Sequence, residues 1–105
     1  FRNFRGDSAF TDINYENQSV LDLGTIGTGT QEIANATQYL FNFNNASEYS
    51  FTTIEGSFRN NDSHLRGFQG GGVLTVAQAT DGVSYFMSNS DNIASGVFTL
   101  FGLKK

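Results

Sequence analysis

Large apolar residues alternate with polar ones along much of this chain, at the two-residue period of a β-strand. In Ala9–Glu16, Ala9, Thr11, Ile13 and Tyr15 fall on one face and Phe10, Asp12, Asn14 and Glu16 on the other. Ser19–Leu23 predicts a short strand ended by Gly24, and a glycine-rich loop follows. Tyr39, Phe41 and Phe43 share a face, as do Tyr49, Phe51 and Thr53. With Asn44–Ser47 between them, the two runs predict an antiparallel hairpin. Gly70, Gly71 and Gly72 predict a wide turn or bulge. Val73–Ala79 and Val83–Ser88 predict strands joined at Asp81-Gly82, a dipeptide suited to a two-residue hairpin. One stretch departs from the period: Ile33, Ala36 and Leu40 stand at helical spacing behind Thr30 in capping position, which gives one short helical turn.

The closing segment puts Val97, Thr99, Phe101 and Leu103 on one face and Phe98 and Leu100 on the other. A strand apolar on both faces belongs in the middle of a sheet, covered on each side. About seven or eight strands with turn signals between them predict an all-β chain, an antiparallel β-sandwich of jelly-roll type. The 105 residues make one domain. The chain opens on Phe1 and stops just after an apolar segment, which suggests the C-terminal fragment of a longer chain.

Composition sharpens this picture. Hydrophobic residues are only 38% of the chain, yet eleven are Phe and four Tyr, so a few large rings must build the core. The net charge is −4 and the six basic residues are dispersed, which argues against nucleic acid as a partner. No apolar run approaches the length of a membrane-spanning helix, which argues against membrane insertion. The absence of Cys excludes disulfides and thiolate metal sites.

Candidate chemistry is sparse. His64 is the only histidine and lies two residues from Asp62; its plain reading is a solvated loop residue. Asp12, Glu16, Glu48 and Glu55 are carboxylates from which a glycosidase pair would be drawn, but ten acids in so short a chain always offer pairs. Asn60, Asn61 and Asp62, and again Asp91 and Asn92, supply oxygens for a structural calcium, without EF-hand spacing. No other cofactor is implied. Gly27-Thr28-Gly29 lacks the lysine and the strand-helix setting of a phosphate loop. The polar run Arg59–Gly72 reads as the longest polar loop, and loops carry function. Its Arg59, Asn61, Asp62, His64, Arg66, Phe68 and Gln69 are the candidate ligand-binding residues, with a saccharide as the ligand. Tyr39, Tyr49, Tyr85, Asn42 and Asn44 extend the same vocabulary of flat rings and hydroxyl partners.

The stretch Gly82–Lys105, GVSYFMSNSDNIASGVFTLFGLKK, resembles the closing segment of a β-sandwich domain of tailed-phage virion proteins. Val83, Tyr85 and Met87 match its first strand, Asn92 to Gly96 its turn, and Leu100, Phe101, Gly102, Leu103 and Lys104 its end, with Phe101 where Tyr is commoner. The match covers about a quarter of the chain and contains no catalytic residue. Gly96, Phe98, Leu100, Phe101 and Gly102 are accordingly structural: Gly96 for a bend or positive φ, Gly102 for a ring lying flat on the backbone. The resemblance implies the C-terminal domain of a tail fibre, spike or head fibre, on the surface of the virion. The expected work is non-enzymatic: homotrimerisation, contact with other virion proteins, and attachment to a host-cell surface polysaccharide. The alternatives are a bacterial carbohydrate-binding module or lectin, and a capsid decoration protein.

Overall fold

Between Ala34 and Leu74 the two-residue alternation becomes a three-stranded meander. The computed structural model describes residues 2–6, 10–12, 14, 16, 18–20, 22–88 and 91–104, and it is all-β, with no helix among them. The strands are β1 (Arg2–Arg5), β2 (Phe10–Asp12), β3 (Ala34–Phe41), β4 (Ser50–Arg59) and β5 (Leu65–Leu74). They form one antiparallel sheet in the order β2-β1-β5-β4-β3. Of the expected strand Ala9–Glu16, Phe10–Asp12 forms, while Ala9, Ile13 and Tyr15 lie outside the described residues.

The β3–β4 hairpin is the one the pattern predicts, with Phe41 opposite Phe51 and Tyr39 opposite Thr53. It is longer than expected, and the added residues correct the helical reading. Ala34–Phe41 pairs with β4 residue for residue, so Ile33, Ala36 and Leu40 do not share a helix face. Seven residues nucleate a helix poorly, whereas β4 offers each of them a backbone ladder. Only Gly29–Glu32 forms a turn, in which the Glu32 N–H donates to the Gly29 carbonyl at 2.9 Å. The glycine triplet is likewise no turn. Gly70, Gly71 and Gly72 lie within β5 opposite Ile54, Thr53 and Thr52. A Cβ on Gly71 would stand 2.8 Å from the Thr52 carbonyl oxygen, so close backbone approach explains the glycine there.

The even-numbered face of β4 is the buried one. Ile54, Phe58 and Phe68 form the core, with the two phenyl rings tilted at 44° and 6.1 Å apart. Leu23 and Ile26 pack against them from a strap that crosses this face. Gly24 makes the strap possible. Its φ is +120°, and a Cβ there would meet the Phe58 ring at 2.6 Å. The strap replaces the strand expected at Ser19–Leu23: its described residues are not a strand, and Asp22 accepts the Gly24 N–H at 2.9 Å.

A second sheet is absent among the described residues. Of the strand expected at Val73–Ala79 only Val73 and Leu74 form, as the end of β5, and those expected at Val83–Ser88 and Val97–Leu103 do not form. The Asp81-Gly82 hairpin fails with them, because Thr80 is tied elsewhere: its N–H and hydroxyl both donate to the Phe43 carbonyl, at 2.7 and 2.6 Å. The closing segment is therefore not a central strand in this chain. Phe98 is 66% exposed and Phe101 79%. The molecule measures 44 × 29 × 29 Å with a radius of gyration of 15.1 Å, against about 13 Å for a compact domain of this length.

Candidate interaction site

The residues expected to form a binding loop belong to a tight hairpin turn and two strands. Asn60 is 5% exposed and organises the turn. Its N–H donates to the His64 carbonyl at 3.1 Å, and its Oδ1 accepts the N–H of Asp62 (3.2 Å) and of His64 (2.9 Å). Its amide also donates to the Asp62 carboxylate at 3.3 Å. The Asn60 carbonyl takes the Ser63 N–H, with Ser63 at φ 61°. The Asn60 Oδ1 and the Asp62 carboxylate, two of the groups that suggest a calcium, are thus engaged in making the turn, and no group of three His, Asp or Glu side chains converges among the described residues. Asn61 and Asp62 remain exposed at the tip.

The strand period splits the rest. Arg66 and Phe68 sit on the even face and Gln69 on the opposite one. Phe68 is 3% exposed, a core residue that no ligand reaches. Arg59 donates to the Gln31 side chain at 2.9 Å. The seven candidates do not converge on one surface. Two of the candidate carboxylates are too far apart to act as a pair. Asp12 and Glu55 lie in one cross-strand row, Asp12–Arg2–Gln69–Glu55. Three strand spacings separate them by about 14 Å, beyond the roughly 5–9.5 Å of glycosidase geometries. Asp12 instead forms a two-pronged ion pair with Arg2 at 2.7 and 3.0 Å. This bond and the nearby charge hold the Asp12 carboxyl below its usual range and raise the Arg2 guanidinium.

Two surfaces stand out instead, and both are apolar. On the odd face of the sheet, Tyr39 and Phe41 stack at 6.4 Å and 21°, with Phe51 and Val73 completing the row across β4 and β5. Each of these four is about half exposed. At its end the turn 42–49 holds Glu48, whose Oε2 accepts from the amides of Asn42 (3.2 Å) and Asn45 (3.1 Å). Asn42, Ser47, Glu48, Tyr49 and Phe51 line a shallow hollow of about 370 Å³ there. Alternation alone locates most of the row, since Tyr39 and Phe41 share one face in the sequence, as do Tyr49 and Phe51.

The second surface is the C-terminal segment. Val97 is 93% and Leu100 88% exposed, and Leu103 is nearly as open. No described residue from Asn92 to Lys104 makes a backbone hydrogen bond. Phe98 stacks on Tyr85 at 5.6 Å, and the Tyr85 hydroxyl donates to the Gln38 side chain. Gly96 has no positive φ, although the chain bends at Ser95 beside it, and a Cβ on Gly102 would meet nothing within 4 Å, so no ring lies flat against that backbone within one chain. The isolated chain exposes 8513 Å². A folded monomer of this mass exposes about 5,800 Å², so the surplus is on the order of 2,700 Å². No protein-family model, curated protein or solved structure was found to match the chain.

Proposed function

We propose that this chain is a non-enzymatic structural domain of a phage virion, the C-terminal domain of a tail fibre, spike or head fibre that works as a homotrimer. One observation carries the assembly: the surplus of about 2,700 Å² of exposed surface, with Val97, Leu100, Phe101 and Leu103 among the open side chains. That area suffices for two interfaces at the standard size of about 800 Å² per partner. Each copy in a closed ring of three has two neighbours. The virion setting is supported by the resemblance of Gly82–Lys105 to the closing segment of such domains. Light scattering on the purified chain tests the assembly. The expected mass is three times the 11.5 kDa of one chain; a monomer at tens of micromolar contradicts it.

A second reading, a saccharide-binding module, has its own support in the stacked Tyr39–Phe41 pair beside Glu48. Half-exposed rings stack on the apolar face of a sugar, and a held carboxylate accepts hydroxyls. In a trimer, three such sites would act together on a host polysaccharide. Glu48→Gln would then abolish adsorption to the host surface without changing the mass of the assembly.

A further inference from the structure

We propose that the arm Gly96–Leu103 of one copy adds as a strand to the free edge of β3 in a second copy. This rests on the assembly reading above and identifies its interface. The acceptor is defined by backbone parity. The Arg59 N–H donates to the Ile33 carbonyl, so the odd residues of β3 turn their backbone groups toward β4. Ala34, Ala36, Gln38 and Leu40 therefore present theirs outward, at the end of the sheet. This edge, ANATQYLF, carries no Lys, Asp, Glu or Pro, the usual guards against strand addition.

The donor matches it. The arm is eight residues long, as β3 is, and is rich in β-branched and aromatic residues. Its backbone needs partners that an apolar face alone cannot supply, whereas a strand edge can. Its two apolar faces fit an edge with apolar residues on both sides, Tyr39 and Phe41 on one and Leu40 on the other. Charge agrees in sign. Lys104 and Lys105 follow the arm, so of the net −4 the remaining residues carry −6. The base of the arm is also held at this edge, by Thr80 on the Phe43 carbonyl and Tyr85 on Gln38. Each copy thus has one arm to give and one edge to receive, the two unlike surfaces that a closed ring requires. A second copy as occupant accounts for the surplus surface; an arm folded onto its own β3 would leave the chain a monomer.

The chain has no cysteine, so Thr99→Cys takes a nitroxide at one place only. Spin-labelled chains are mixed and refolded with unlabelled-cysteine-free ¹⁵N chains, and the mass is measured on the same sample. The amides of residues 34–41 in the ¹⁵N chains are expected to lose most of their intensity. Leu100→Asp with Phe101→Asp, both at positions exposed in the single chain, is expected to restore that intensity and yield monomers. An oligomer whose β3 amides keep their intensity overturns arm exchange and leaves the assembly standing. A monomer overturns both. Broadening of β3 only when label and ¹⁵N share one chain overturns exchange in favour of an arm folded on its own sheet.

Discussion

Residues 22–74 and residues 75–104 have similar apolar vocabulary and opposite fates. In the first region Ile54, Phe58 and Phe68 are buried beneath Leu23 and Ile26, and every strand has a backbone partner. In the second, Val97, Leu100, Phe101 and Leu103 are open to solvent and no strand forms among the described residues. The difference is topological. The first region supplies its own neighbours, because two turns bring β3, β4 and β5 side by side. The second ends in a segment apolar on both sides, which needs two covering layers and has at most one within the chain.

The contrast breaks most sharply at the rings. Phe68→Ala is expected to cost about 3–5 kcal/mol, a large part of the stability of so small a domain. Denaturant melting by circular dichroism measures it. Phe101→Ala in a dilute monomeric sample is expected to shift the midpoint by no more than about 0.5 kcal/mol. Equal losses at both positions would put the tail inside the same core. Next in size is Gly24→Ala, where φ of +120° and the Phe58 ring oppose any side chain. A loss of about 1–3 kcal/mol is expected, with a matching loss of protection at Ile54 in amide exchange. Asn60→Ala should cost about 1–2 kcal/mol, because it strips two backbone donors of the hairpin turn of their acceptor.

How much of this was legible follows from where the neighbours lie. The β3–β4 hairpin was readable because alternation and an Asn-rich turn sit within a few residues of each other. Which face of it would be buried was not readable. Tyr39, Phe41 and Phe51 outweigh Ile54 and Phe58 in ring count, yet the strap at Leu23–Ile26 covers the even face, and the sequence pattern marks that segment only as a short strand ended by Gly24. The glycine triplet misled because glycine serves both turns and close strand approach. Spacing could not place the candidate ligand residues either. Arg66, Phe68 and Gln69 looked like one loop until β5 distributed them across two faces. The closing segment was recognised as needing cover on both sides, but sequence does not say from which chain that cover comes.

The smallest expected effect concerns pH. Asp12 has its carboxyl held below the ordinary range by Arg2, so the stability it adds is present above that range and fades as pH falls through the lowered value. The pair is exposed, so Asp12→Asn should flatten the acid limb of a pH-stability profile only slightly. A large flattening would show that the β1–β2 hairpin contributes more to the sheet than its exposure implies.

Amide hydrogen exchange of Gly96–Leu103 across a dilution series tests most directly whether a neighbouring copy covers the tail. Protection of these amides at high concentration, lost on dilution while Ile54 stays protected, is the predicted result. Protection that ignores concentration, or its absence throughout, contradicts the account.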